Sequence, residues 1–280
     1  GEALADDGVS ATLDTGTFNA IVDIFSGRHL QVFTTGAEFY VPQTLDEPIT
    51  PTNLIVKQQT AFGMKPGIRL QNVDGSTLFI QRQGKAIQEF VFSDAVQAYT
   101  SAKISLLSSH LLKTPEEMAV RVATSTDEGD RLMLVNGDDG SIACYTLLRS
   151  QNVIAPTEWT TAGEFLNIGV DVDDIYVVVK RTVNSATVYY VELYDANTLL
   201  DSAKTGGAAS SVTMDHLQAA SVKIIRDGII EPDQTVPASP YTITFATAAT
   251  SSHQVGLNFT PEVKTLPVEP NLSSGSLKGF

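Results

Sequence analysis

The sequence predicts an all-β fold: a propeller-like, multi-bladed β region with one short helix inserted, followed by a small C-terminal β-barrel or sandwich. Three observations carry this. Alternating, β-branched and aromatic runs fill most of the 280 positions. Tight-turn signals separate them, at Asn72-Val73-Asp74-Gly75, Arg82-Gln83-Gly84, Gly137-Asp138-Asp139-Gly140 and Asn184-Ser185. The string Asp-Gly-Ser recurs at Asp74 and Asp139, each time ahead of an alternating strand. Segments around 20–45, 54–92, 118–160 and 165–200 would then each hold three or four strands, the size of a propeller blade.

In chain order, strands are expected at 20–24, 30–34, 38–41, 54–58, 76–81 and 86–92. Further strands follow at 118–123, 131–135, 141–148, 165–170, 174–181 and 187–194. Between these groups, Val96, Tyr99, Ile104, Leu107 and Leu111 fall at mixed helical spacing, so a helix is expected over 100–111. Thr114-Pro115-Glu116-Glu117 reads as a cap with Pro at the first helical position, opening a brief turn over 115–118. Residues 201–211, with Lys204-Thr205-Gly206-Gly207-Ala208-Ala209, read as a small-residue linker. The expected division is a propeller-like domain over 1–200, incomplete or open, that linker, a small β module over 212–267, and a polar linker over 268–280. Strands in the β module are expected at 212–217, 221–226, 229–230, 234–236, 241–245 and 252–259. Gly256, inside Val255-Gly256-Leu257, marks a bulge or a close backbone approach.

Composition narrows the chemistry. Acidic residues outnumber basic ones by 32 to 18, a formal charge of −14, which argues against a surface that grips phosphate backbones. It suits a soluble surface, or a wall past which DNA slides without sticking. Hydrophobic residues make up 42% of the chain, yet no apolar run approaches the roughly 18 residues of a membrane span. The chain opens without a basic segment leading into an apolar one, so no signal peptide is expected. Its ends carry no closing structural signal, and an internal fragment of something longer is expected.

The chain offers little for catalysis. Cys144 is the only cysteine and sits in an alternating run, which makes it a small buried hydrophobe. His29, His110, His216 and His253 form no metal-ligand spacing, and His110 and His216 are expected as hydrogen-bonded structural residues. The acidic turns Asp171-Val172-Asp173-Asp174 and Gly137–Gly140 lack the ligand order of a calcium loop. Glu89, Glu158 and Glu192 are the candidates for paired carboxylates of glycoside cleavage, but are expected to face solvent or a neighbouring subunit. Trp159 is expected as a strand anchor rather than a sugar platform. No catalytic, cofactor-binding or metal residue is assigned.

Two ordered strings are more specific. Upstream come Leu78-Phe79-Ile80-Gln81-Arg82-Gln83-Gly84-Lys85, Glu89-Phe90, Tyr99, Ser105-Leu106-Leu107 and His110-Leu111. Later come His216-Leu217, Val222-Lys223-Ile224-Ile225-Arg226-Asp227-Gly228, Val255 to Pro261, and Thr265-Leu266-Pro267. With Arg28-His29-Leu30-Gln31-Val32-Phe33 and Val178-Val179-Lys180-Arg181-Thr182, these make the chain resemble the tail nozzle, or tail tubular protein B, family of short-tailed bacteriophages and prophages. The resemblance spans roughly residues 15–270. It implies a structural virion protein in a homohexameric ring at the tail tip, contacting a tail adaptor ring and tail fibre proteins. Genomic DNA would pass through during ejection without specific binding. It implies no enzyme activity, no cofactor and no stable membrane insertion. Two alternatives stay open: a β domain that binds host-surface glycan receptors, and a tail-associated glycan hydrolase.

Overall fold

The computed structural model describes Gly8 and residues 19–42, 49–51 and 53–263. Among them the fold is all-β, with 56% of the described residues in strands and helical geometry confined to three short 3-10 turns. The chain divides into two compact units, Gly1–Asn197 and Thr198–Phe280.

The first unit holds four antiparallel sheets, each a meander of consecutive strands. The first sheet runs β1 (Ile21–Ser26), β2 (Leu30–Thr34), β3 (Glu38–Val41) and β4 (Lys57–Thr60). The second runs β5 (Gln71–Val73), β6 (Ser76–Ile80), β7 (Ile87–Ser93) and β8 (Ala98–Lys103). The third comprises β9 (Pro115–Arg121), β10 (Asp130–Asn136), β11 (Ile142–Leu148) and β12 (Val153–Trp159). The fourth has three strands, β13 (Glu164–Asp171), β14 (Asp174–Val183) and β15 (Ala186–Leu193).

Strand alternation explains how these sheets pack. Successive side chains point to opposite faces, so a strand apolar at every position can feed two cores. In β6, Phe79 joins Phe33, Tyr40, Phe90 and Tyr99 on one side, while Leu78 and Ile80 join Leu132, Leu134 and Tyr145 on the other. In β10, Leu132 and Leu134 serve that second core, while Met133 and Val135 pack with Cys144, Ile168, Val177 and Val179 of a third. The four sheets are thus joined in chain order by three successive apolar layers.

The expected helix over 100–111 is not formed. Residues 98–103 instead pair with β7, in the register Phe92↔Tyr99 and Phe90↔Ser101. Burial decided this: Tyr99 stacks on Phe90 with centroids 4.6 Å apart, whereas Val96 and Leu107, needed for a helical stripe, are 63% and 92% exposed. Helical geometry survives only at Ser109–Leu111. Pro115 opens β9 rather than a helical turn, a position where a missing N–H costs a sheet little. Besides β8, two further strands of the first unit went unpredicted, the three-residue β5 and β12, whose Pro156 masks it in sequence and whose edge position tolerates that proline.

The second unit contains a four-stranded sheet in the order β16 (Asp201–Gly206), β21 (His253–Leu257), β18 (Ser221–Arg226), β19 (Ile229–Thr235). A two-stranded sheet pairs β17 (Ala209–Thr213) with β20 (Thr242–Ala249). Met214, Leu217, Val222, Ile224, Val236, Ile243, Phe245 and Val255 form its core. The linker expected over 201–211 is therefore strand. Gly207 and Ala208 form the exposed bend between β16 and β17, and at Gly206 the small residue reflects close packing, since a Cβ there would lie 2.5 Å from the His253 ring. Gly256 behaves as the sequence predicts, since a Cβ there would sit 2.7 Å from the Asp201 carbonyl oxygen and 2.8 Å from Ala203 Cα. The linker expected over 268–280 lies outside the described residues.

Candidate functional site

The three candidate carboxylates lie on different sheets, and each is matched to its own cation. Glu89, on β7, pairs with Arg149, which also reaches to 3.8 Å from Asp74. That pair lies in a cleft of about 400 Å³ walled by Ile104, Leu147, Val153 and Ile154. Glu158, on β12, accepts from Lys113 Nζ at 2.5 Å, and Asp139 accepts from the same ammonium at 2.7 Å. Hydrogen bonds to Asp139 and then Glu158 push the Lys113 pKa up. Glu192, on β15, takes two hydrogen bonds from Arg181, from Nε at 2.8 Å and Nη2 at 2.6 Å. Arg181 is only 2% exposed, and its Nη1 donates to the Ala162 carbonyl at 3.1 Å. Glu158 is exposed, as expected, whereas Glu89 and Glu192 are half-buried, and all three tie neighbouring strands and loops together.

The histidines divide in the same manner. His216 Nε2 lies 2.9 Å from the Ser202 carbonyl and His253 Nδ1 lies 2.7 Å from that of Gly207. His110 departs from expectation, standing exposed in its 3-10 turn. His29 sits among Tyr40, Phe92 and Tyr99, and burial followed by the neighbouring Arg28 charge lowers its pKa. Cys144 is buried as predicted, and burial pushes its thiol up to about 11, far from a nucleophilic thiolate at neutral pH. Trp159 ends β12 stacked on Tyr194, ring centroids 4.9 Å apart, so it is the anchor expected of it.

Neither acidic turn gathers ligands. Asp139 instead caps its own turn, accepting from the Ser141 N–H at 3.0 Å and hydroxyl at 2.7 Å. Among the described residues, no three His, Cys, Asp or Glu side chains are placed to hold a metal ion.

Sequence reasoning missed two charged positions. Asp227, in the Asp227-Gly228 turn, accepts from the backbone N–H groups of Thr250, Ser251 and Ser252 and from the hydroxyls of Thr250 and Ser251. Those backbone bonds, Thr250 first, hold its carboxyl far below the usual carboxylate range. The partner string Thr250-Ser251-Ser252 is visible in sequence, but its distance of more than twenty positions hid the pairing.

The other is Glu38, fully buried on β3, which accepts from Thr60 Oγ1 and from the Phe62 N–H at 3.2 Å. Burial raises its pKa despite those bonds. The folded chain therefore holds this proton at pH values where the unfolded chain has lost it. Stability falls as pH rises through the raised pKa and recovers toward the ordinary glutamate value. Glu38→Gln should remove this component. Unfolding midpoints of wild type and variant would then draw together as pH falls from neutrality toward the ordinary glutamate value, while a constant gap would contradict the assignment.

The chain matches no family model, and no curated protein is significantly similar to it.

Proposed function

We propose that this chain is a structural component of a short-tailed bacteriophage tail, part of the tip or nozzle ring through which DNA is ejected. One observation carries the proposal: the first unit is a chain-ordered series of antiparallel meanders stacked face against face through three apolar layers. Such a series has the pattern of successive propeller blades, and we read the first unit as an open, propeller-like array. Among the described residues, the motifs that resemble the nozzle family fall partly on these strands, at Leu30–Phe33 of β2, Leu78–Ile80 of β6, Glu89-Phe90 of β7 and Val178–Thr182 of β14, and partly on β18 and β21 of the second unit. Carboxylates that resemble catalytic candidates serve as cross-strand ties, which suits a scaffold that must stay rigid under load.

In this role the chain packs on copies of itself in a ring, usually of six, and on an adaptor ring and tail fibre proteins of the virion. DNA passes by without being read. A formal charge of −14 favours passage, since a wall rich in carboxylates repels phosphate at short range. A fluorescence titration with duplex DNA at physiological salt should show no measurable binding. Tight binding with a steep salt dependence would mean several phosphate contacts and would overturn the conduit role.

A further inference from the structure

The fourth sheet differs from the other three in its last strand. Antiparallel sheets guard their free edges with short strands, prolines, lysines or bulges, because an unguarded edge pairs with another chain. Among the described residues, seven of the eight edges in the first unit follow this rule. Strands β1 and β13 carry register irregularities, β4 and β5 are four and three residues long, and β8 ends in Lys103. Strands β9 and β12 contain Pro115 and Pro156. Strand β15 has none of these: eight residues, Ala186–Leu193, in unbroken register with β14.

The hairpin geometry shows which of its groups point outward. Asn184 and Ser185, with φ of 47° and 64°, form a two-residue turn closed by the pair Val183↔Ala186. The closing pair of such a turn exchanges hydrogen bonds, and hydrogen-bonded pairs then alternate along the ladder. Val188, Tyr190 and Glu192 therefore bond inward to β14, and the N–H and C=O groups of Thr187, Tyr189, Val191 and Leu193 point away from the sheet. The side chains of Tyr189, Val191 and Leu193 are also exposed, at 62%, 73% and 53%. Continuing inward, Tyr176↔Leu193 and Val178↔Val191 extend this apolar face onto β14. In a chain of charge −14, the strand carries one charge, Glu192, which Arg181 neutralises.

We propose that β15 pairs antiparallel with β15 of a second copy of this chain, joining two three-stranded sheets into one. A two-fold axis normal to the sheet, passing beside Tyr190, keeps each side chain on its own face. It sets Tyr189 opposite the partner's Val191 and Thr187 opposite the partner's Leu193. All outward backbone groups are then satisfied, in about eight hydrogen bonds, and aromatic–β-branched pairs line the exposed face. The strand is self-complementary in register, face and charge, which is what a two-fold contact requires of one patch. Such a contact cannot be repeated around a cyclic ring. It therefore describes the chain free in solution, covering an edge before assembly, and its failure leaves the proposed tail role standing.

Sedimentation of the 280-residue chain over micromolar to hundred-micromolar concentrations tests this. The wild type should reach the mass of two 30.0 kDa chains. Val191→Pro removes one outward N–H without touching the β14 ladder, and Tyr189→Lys places a charge in the contact. Each should weaken the dimer at least tenfold while leaving the circular dichroism spectrum unchanged, and should leave the Trp159 unfolding midpoint unchanged at concentrations where the wild type is monomeric. A wild-type mass other than two chains, or a dimer that survives either correctly folded variant, would overturn the proposal.

Discussion

Arg181→Ala is expected to destabilise the first unit by about 3 kcal/mol, the lower end of the cost of breaking a buried ion pair. Arg181 makes two hydrogen bonds to Glu192 and one to the Ala162 carbonyl, which tie β14, β15 and the loop before β13. Removing the guanidinium leaves Glu192 without its cation, and leaves a cavity in place of the longest buried side chain of the sheet. Because the Glu192 side chain keeps 20% exposure, water can partly rescue it, which holds the loss near the lower end. The double replacement Arg181→Met with Glu192→Leu should recover most of the loss, since a well-packed apolar pair needs no desolvation of charge. Trp159 is the only tryptophan and packs against the core shared by the third and fourth sheets, so its fluorescence reports this unfolding directly. A single variant as stable as wild type would show that the pair contributes nothing.

Gly256→Val should destabilise the second unit by about 1–3 kcal/mol, the usual cost of forcing extra volume into a packed interior. The obstacle is backbone, not a movable side chain: the Asp201 carbonyl and Ala203 Cα already occupy the space of any Cβ. Strand β16 must therefore shift away from β21, where its register already breaks between Asp201 and Lys204. Hydrogen exchange should show earlier opening of β16 and β21, with the Trp159 midpoint of the first unit unchanged. Unaltered exchange in both strands would mean that the glycine is incidental.

These two residues show what sequence can and cannot reveal. Gly256 was legible alone, because a glycine inside an apolar strand has few explanations. Most strands were legible as well: β2, β3 and β18 match their expected limits, since alternation and turn chemistry are local. The helix over 100–111 failed because helical spacing and strand pairing compete for the same apolar residues, and Tyr99 was claimed by the aromatic core of two sheets. The strands within 201–211 failed because small residues signal both flexible chain and close packing, and only the His253 ring beside Gly206 distinguishes them. Glu89, Glu158 and Glu192 could be named from sequence, but their partners Arg149, Lys113 and Arg181 lie 60, 45 and 11 positions away, and only the fold brings them together. The clamp of Asp227 on residues 250–252 was hidden for the same reason.

The proposed place of this chain in a phage tail is tested by immunoelectron microscopy of short-tailed particles carrying it. An antibody raised against the chain should label the distal end of the tail, at a fixed stoichiometry per particle, and the label should vanish from tailless capsids. Label confined to the host-facing tips of fibres, or no label on any particle, would contradict it.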